Sequence, residues 1–152
     1  MISFRPMAQN DLDKVLEIEK QSFVNPVSKN KLIKEISYNH LARYYIMLLD
    51  DIIIGYFGMW IISDEGHILN IAIDPKYRGK GYGNDLLIEL IKIAKENLVN
   101  KLTLEVRETN DPAKNLYKKY NFKVLGRRKD YYREPTEDAL IMWLDLGENK
   151  WH

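Results

Sequence analysis

Apolar residues recur at two different spacings along this chain, and the changes in spacing predict the order of its structural elements. A short strand at 3–5 comes first and is stopped by Pro6. Two helices follow, for which Asn10 and Ser28 are the expected N-caps. Asn25-Pro26 breaks the chain between these helices. The chain is therefore expected to begin with one strand and a pair of helices.

Strands and helices are predicted to alternate in the rest of the chain. In order, we expect three strands, a long helix, a strand, a shorter helix and two strands, near 44–49, 52–62, 68–73, 82–97, 101–107, 110–121, 122–125 and 140–146. A strand–helix–strand crossover joins parallel neighbours, whereas a hairpin joins antiparallel ones. The pattern therefore predicts an α/β protein with a mixed sheet.

The segment that leads into the long helix is rich in glycine and basic residues. It reads Arg78-Gly79-Lys80-Gly81-Tyr82-Gly83-Asn84. Glycine allows the backbone to approach a ligand closely, and the free N–H groups and the dipole at a helix N-terminus favour an anion. A strand, such a loop and a helix start in this order predict a site for a phosphorylated ligand. Short glycine patterns also occur in ordinary turns, so the loop alone leaves that alternative open.

Glu105 is the first candidate for catalysis. It lies in the strand at 101–107, on the face opposite Leu102, Leu104 and Val106. A carboxylate in such a position is commonly a solvated surface group. However, a right-handed crossover would bring the end of this strand beside the glycine-rich loop, where open α/β sheets bind ligands. There, Glu105 could remove a proton from an incoming nucleophile, directly or through water.

Four further positions are candidates for the site, and three of them have two interpretations. Tyr117 lies on the apolar face of its helix, either as a core tyrosine or with its phenol in the cleft, donating a proton to a leaving group. Asn110 is by position a helix cap. Tyr131 and Tyr132 lie in the polar segment 127–137 and form either a contact surface or part of an edge strand.

Composition narrows the classes of function. The 152 residues suffice for one domain, and a net charge of +1 gives no reason to expect nucleic acid or an acidic membrane as the main partner. The absence of cysteine excludes disulfides and thiolate chemistry, and the three histidines are too scattered for a metal cluster, so no metal is expected. No apolar run approaches the roughly 20 residues of a membrane span, and the N-terminus lacks a signal-peptide pattern. We therefore expect a cytoplasmic protein.

These motifs together resemble the GNAT superfamily of acyl-CoA-dependent N-acyltransferases, and within it the protein N-terminal acetyltransferases of the RimI and Ard1 type. The likeness extends from Ile2 to about Leu146. Its most specific segment, 69–83, looks like the signature strand and the Arg-x-x-Gly-x-Gly pyrophosphate loop of the family. The later segments 104–110, 116–117, 121–122, 130–132 and 137–139 are similar to the second half of the RimI and Ard1 proteins.

The resemblance implies a fold and a donor. The fold is a seven-stranded, mixed and mostly antiparallel sheet, with strands 4 and 5 as a parallel central pair and about four flanking helices. It would occupy a single domain at 1–146, followed by a short tail at 147–152. The donor is acetyl-CoA, without a metal. The backbone of Ile71, Ala72 and Ile73 would pair with the pantetheine arm, the loop at 78–84 would hold the pyrophosphate, and Asn110 would bond the pantetheine.

The resemblance also implies roles on the acceptor side. Glu105 falls at the general-base position of RimI-like enzymes, and Tyr117 falls at the general-acid position. Tyr131 and Tyr132 match residues that line the peptide groove.

Asn25-Pro26-Val27-Ser28 falls in the loop that contacts the first substrate residue, with Pro26 and Val27 as the expected contacts. RimI proteins often carry Trp where Val27 stands, so the pocket for the first residue is expected to differ.

The expected reaction is acetylation of a protein N-terminal amine by direct attack in a ternary complex, which is compatible with association with the ribosome. Two alternatives stay open at this point. One is an acetyltransferase for a small amine or polyamine, and the other is a non-catalytic acyl-CoA-binding regulator.

Overall fold

The computed structural model describes residues 1–147, and their strands and helices follow the predicted order. The strands are β1 (Ile2–Pro6), β2 (Ala42–Leu49), β3 (Ile52–Ile62), β4 (Glu65–Ile73), β5 (Lys101–Arg107), β6 (Lys123–Tyr132) and β7 (Glu137–Asp145). The helices are α1 (Leu12–Ser22), α2 (Lys29–Ser37), α3 (Tyr82–Glu96) and α4 (Asp111–Lys119), with short 3₁₀ turns at Gln9–Asp11 and Pro75–Tyr77. The predicted tail lies outside the described residues, apart from Gly147.

The strands form one seven-stranded sheet in the order β1-β2-β3-β4-β5-β7-β6. Only β4 and β5 run parallel; every other neighbouring pair is antiparallel. This confirms the predicted mixed sheet with a parallel central pair. The parallel pair follows from α3, which carries the chain from the end of β4 back to the start of β5.

Helices cover the two faces of the sheet. The apolar side of α3 packs on one face against residues such as Phe57 and Met47. On the other face, α1 and α2 pack against Ile46, Tyr56 and Ala72. Since neighbouring residues of a strand point to opposite faces, Tyr56 and Phe57 belong to different cores.

Two predicted helix starts are confirmed and one is wrong. Ser28 Oγ accepts the N–H of Lys31 at 3.1 Å, and Asn110 Oδ1 accepts the N–H of Ala113 at 3.3 Å, so both residues are N-caps. Asn10, in contrast, does not cap α1.

The N-cap residue of α1 is Asp11, because the 3₁₀ turn Gln9–Asp11 precedes the helix. The Asp11 carboxylate accepts the N–H of Ala8 at 2.7 Å and a guanidinium N–H of Arg5 at 2.8 Å. These bonds hold the 3₁₀ turn rather than capping α1, which has no side-chain bond at its N-cap.

Several strand bounds also differ from the pattern. β1 includes Pro6, which an edge strand tolerates because one side of its ladder is unpaired. β4 begins at Glu65, three residues before the predicted start at 68. β6 extends to Tyr132, so both Tyr131 and Tyr132 belong to an edge strand.

The parallel strands separate partway along their length, and this separation creates the cleft of the molecule. β4 pairs with β5 only from Glu65–Lys101 to His67–Thr103. Immediately afterwards β4 bulges at Leu69, which has no partner in the β3 register. A bulge bends its strand and increases the local twist. The last residues of β4 and β5 therefore diverge, and the β5-facing side of β4 has no strand beside it.

No helix in residues 1–147 combines the length and apolar character needed to cross a membrane.

Candidate active site

The cleft between the diverging strands has two connected lobes. The loop lobe, a cavity of about 510 Å³, lies between 71–73, the glycine-rich loop and the start of α4. The strand lobe lies between 68–71 and 104–107, with 22–25 at one side. Six residues line both lobes: Ser22, Phe23, Ile71, Asn110, Ala113 and Tyr117. A single cleft therefore runs from the glycine-rich loop to the end of β5.

The glycine-rich loop has the backbone conformation that its sequence requires. Gly79 and Gly81 have φ values of +75° and +87°, in the left-handed region that L side chains rarely adopt. Gly81 is the N-cap of α3, and nothing lies within 4 Å of the position where its Cβ would be. The loop thus presents bare backbone and a helix N-terminus to the loop lobe, which suits an anion.

Side-chain hydrogen bonds connect this loop to β4, to α1 and to the end of α4. Arg78 donates to the carbonyl of Ile73 at 2.9 Å and to Ser22 Oγ at 2.8 Å. Asn84 Oδ1 accepts from Lys119 Nζ at 2.8 Å and from the Tyr120 hydroxyl at 2.9 Å. The guanidinium of Arg78 therefore braces the loop against β4 and α1.

Lys80 does not line the loop lobe, and its ammonium lies 5.8 Å from the centre of the Tyr77 ring. The other predicted loop residues, Arg78, Gly79, Gly81, Tyr82, Gly83 and Asn84, do line it, as do Ile71, Ala72 and Ile73.

Glu105 and Tyr132 line the strand lobe together. Burial, followed by the negative charge of Glu105, raises the pKa of Tyr132 to about 12. Tyr131 lies outside the lobe; it is 49% exposed and its ring stands edge-on to Tyr132 at 5.1 Å between centroids. The two adjacent tyrosines therefore differ in their access to the cleft.

Arg107 lines the same lobe and was not singled out from the sequence. Its guanidinium lies 4.4 Å from the centre of the Tyr132 ring and donates to the carbonyls of Arg133 and Pro135 at 3.1 and 3.0 Å. It also pairs with Glu137 at 3.2 Å. Arg107 thus holds the β6–β7 turn at the rim of the cleft. Its position two residues after Glu105, on the same strand face, was the available signal.

Tyr117 stands where the two lobes meet, and both interpretations of it have support. Its ring packs against Phe122 at 5.6 Å, and the residue is only 6% exposed. Its hydroxyl has no hydrogen-bond partner among the described residues. Burial raises the pKa of Tyr117 above its usual value. The phenol is therefore held in its protonated form beside the cleft.

The loop after α1 reaches the cleft through residues other than those predicted. Phe23, Val24 and Asn25 line the strand lobe, whereas Pro26 and Val27 do not. Pro26 is exposed, and the Val27 side chain packs against the core on the α1 face. The Asn25-Pro26 break in the sequence predicts the position of this loop, but it does not predict which of its side chains face the cleft.

A buried acidic group lies behind this loop. Glu19 is 1% exposed and accepts hydrogen bonds from the hydroxyl of Tyr56, the amide of Asn70 and the N–H of Val27. Burial raises its pKa. Its position on the apolar stripe of α1, one residue after Ile18, was a sequence signal that a charged group would be buried.

Residues 1–147 contain no group of three or more His, Asp and Glu side chains that could hold a metal ion. The groups that converge on the cleft are instead backbone amides, a carboxylate and phenols. These are suited to binding a phosphorylated ligand and to moving protons beside it.

Comparison with known proteins assigns this arrangement to a family. The model of the acetyltransferase (GNAT) family matches residues 12–122. A Bacillus subtilis protein, provisionally named a ribosomal protein bS18-alanine N-acetyltransferase, is 42% identical over 95% of each chain. The ribosomal protein bS18-alanine N-acetyltransferase of Haemophilus influenzae is 39% identical over 87% of this chain and 90% of its own.

A solved structure extends the likeness to three dimensions. The crystal structure of the ribosomal-protein-S18-alanine N-acetyltransferase from Escherichia coli superposes with a TM-score of 0.90 and 27% identity. The superposition covers 98% of this chain and 96% of that one. With a family match over more than half of its length and these relatives, the chain belongs to the GNAT family of N-acetyltransferases, which use acetyl-CoA as the donor.

Proposed function

We propose that this protein transfers the acetyl group of acetyl-CoA to the N-terminal amine of a protein, by direct attack in a ternary complex. The observation that carries the proposal is the single cleft that brings the glycine-rich loop, the open side of β4, Glu105 and Tyr117 together. The names of the relatives, which act on the alanine of ribosomal protein bS18, support a protein acceptor.

The loop lobe would hold the donor. The pyrophosphate would lie against the backbone of the loop at the start of α3, and the pantetheine would run along the β5-facing side of β4 at 71–73. Asn110, which lines both lobes as well as capping α4, would bond the pantetheine. The thioester would then arrive at the junction of the lobes, beside Tyr117.

The position of Gly81 leads to a prediction for donor binding. Gly81→Ala should raise the Kd of acetyl-CoA about tenfold, because the new methyl group would enter the lobe beside N–H groups whose bonds to an anion are worth about 1.5–3 kcal/mol. Isothermal titration of each variant with acetyl-CoA measures this change.

Gly147→Ala is the matched control. Gly147 has a φ of +78° and the same open surroundings, but it does not line the cleft. Both variants carry the strain of a left-handed alanine, about 1–2 kcal/mol. Equal Kd values for the two variants would contradict the placement of the pyrophosphate.

The chemistry at the junction needs one base and one acid. A peptide α-amine has an unperturbed pKa of about 7.7–8.0, against about 10.4 for lysine, so it is the easier amine to deprotonate near neutral pH. Glu105 would take the proton, directly or through water, as the amine nitrogen attacks the thioester carbon. A backbone N–H beside Ile73 would stabilise the oxyanion, a contribution of about 3 kcal/mol. As the C–S bond breaks, Tyr117 would protonate the departing thiolate.

The strand lobe would receive the peptide. Its rim is formed by the loop at 23–25 on one side and by Tyr132, held by Arg107, on the other. Tyr131 extends this surface outside the lobe, with Pro26 and Val27 further along the loop. These features suit an extended chain whose first residue enters the cleft. The proposal places the enzyme in the cytoplasm, where nascent chains and acetyl-CoA meet, and is compatible with ribosome association.

An acceptor screen tests the proposal. The protein and acetyl-CoA are incubated with a library of peptides that differ in their first residues, including the N-terminus of bS18, and products are read by mass spectrometry. Matched peptides with a blocked α-amine and an internal lysine, together with small amines and polyamines, form the control panel. We expect acetylation only where the α-amine is free.

Preferential acetylation of the small amines would replace the proposal by the small-molecule alternative. Acetyl-CoA binding without release of CoA to any acceptor would indicate a non-catalytic regulator.

A further inference from the structure

The buried carboxylate of Glu19 takes no part in the chemistry proposed above, yet it is connected to the cleft. Besides the Tyr56 hydroxyl, it accepts from Asn70 Nδ2 at 3.2 and 3.3 Å and from the N–H of Val27 at 3.0 Å. A buried carboxylate is costly unless such donors satisfy it. Glu19 therefore ties α1 to β3, to β4 and to the loop that follows α1.

Glu19 also orients the amide of Asn70. Both bonds to the carboxylate come from Nδ2, so the carbonyl oxygen Oδ1 faces away from it. Within residues 1–147, Oδ1 accepts no hydrogen bond. Since no buried side-chain nitrogen or oxygen in these residues lacks a partner, Oδ1 is not buried. Since Asn70 lines the strand lobe, Oδ1 is an open acceptor at the wall of that lobe.

An acceptor oxygen in this place suits a substrate that carries several N–H groups. Glu105 lines the same lobe and would take one proton from the attacking amine. A neutral primary amine has a second N–H, and an ammonium group has two more. We propose that Asn70 Oδ1 accepts a hydrogen bond from the substrate α-amine, and that Glu19 is the positioning residue that orients this amide. This inference rests on the proposed function.

Asn70→Ala tests the contact with the amine. We expect the KM of an accepted peptide to rise about tenfold, the effect of losing one hydrogen bond of about 1.5 kcal/mol, while the Kd of acetyl-CoA stays unchanged. In titrations with CoA present, the free-amine peptide should bind about tenfold more weakly to the variant. The same peptide with an acetylated α-amine should bind wild type and variant equally.

Asn39→Ala is the matched control. Asn39 also donates from its amide to a buried glutamate, Glu35 at 2.7 Å, but it lies outside the cleft. Its removal is expected to leave the KM unchanged. A loss of stability alone would therefore affect both variants, whereas the change in KM belongs to Asn70→Ala.

Glu19→Gln tests the positioning. Glutamine replaces one of the two oxygens that accept from Asn70 Nδ2 by an N–H donor, so the amide of Asn70 is no longer held with Oδ1 toward the lobe and the peptide KM should rise, by up to about tenfold. The double variant Glu19→Gln with Asn70→Asp reverses the donor and the acceptor. One oxygen at position 70 then accepts from the new amide and the other faces the lobe, so the KM should return to within about threefold of wild type.

The outcomes separate this inference from the proposed function. An unchanged KM in Asn70→Ala, or equal weakening of the free-amine and acetylated peptides, overturns the contact. A double variant that does not recover overturns the role of Glu19, and thermal unfolding of each variant shows whether it is folded. If wild type acetylates no α-amine at all, the proposed function fails instead.

Discussion

Replacement of Glu105 by glutamine is expected to lower kcat for peptide acetylation by about 10²- to 10⁴-fold, the usual contribution of a general base. Glutamine keeps the size of the side chain and its place in the strand lobe but cannot take the proton of the amine. The Kd of acetyl-CoA should not change, because the donor is held mainly in the loop lobe, which Glu105 does not line. Initial rates at saturating peptide, together with titration calorimetry, measure the two quantities.

Glu65→Gln is the control for this substitution. Glu65 is also a partly exposed glutamate in a strand. It lies at the start of β4, away from the cleft, where β4 and β5 are still paired. Its replacement should leave kcat unchanged. A Glu105→Gln enzyme with wild-type turnover at neutral pH would remove Glu105 from the mechanism.

Tyr117→Phe is expected to lower kcat by about 10²-fold or more while leaving the fold intact. The phenylalanine ring keeps the packing against Phe122, and the lost hydroxyl has no hydrogen-bond partner among the described residues. The thiolate must then leave without a nearby proton donor. Measurement of kcat and of the thermal unfolding temperature separates catalysis from stability.

Tyr45→Phe provides the comparison, since Tyr45 packs against Phe57 at 5.4 Å in the same core and does not line the cleft. It should change neither quantity. If Tyr117→Phe behaves in the same way, Tyr117 is a core residue only.

The raised pKa of Tyr117 gives this prediction a pH dependence. Burial raises the pKa above the ordinary value of about 10, so the phenol is protonated, and active as an acid, throughout the neutral range. The Tyr117 contribution to kcat should therefore persist to at least about pH 10 and fall only above it. A loss of kcat on the alkaline side below that pH must come from another group.

The elements with strong local signals were predicted well. The apolar stripe of α3 and the alternation of β5 each depend on residues that follow one another in the chain. β6 lacked such a signal, since most of its residues are exposed, and only its pairing with β7 makes it a strand to Tyr132. Asn10 has a side chain suited to capping, but the Asp11 carboxylate bonds Ala8 and Arg5 and closes a 3₁₀ turn, so α1 begins after Asp11.

The candidate site divides in the same way. The glycine-rich loop could be located from the sequence because positive φ and a helix start are local properties. Glu105 could be placed on a strand face for the same reason. The cleft residues Phe23 and Asn70 could not be found, because each becomes part of the site only through elements distant in the chain. Arg107 was missed although it lies two residues after Glu105 on the same strand face.

The sequence by itself determined the order of the elements, the crossover that makes β4 and β5 parallel, and a loop suited to an anion. Only the tertiary structure decided that β4 and β5 separate after His67 and that Glu19 meets Asn70, 51 residues away. The physical reason is that helix and strand periods arise between neighbours in the chain. The cleft arises from strand pairing, a bulge and packing, which depend on which distant residues meet.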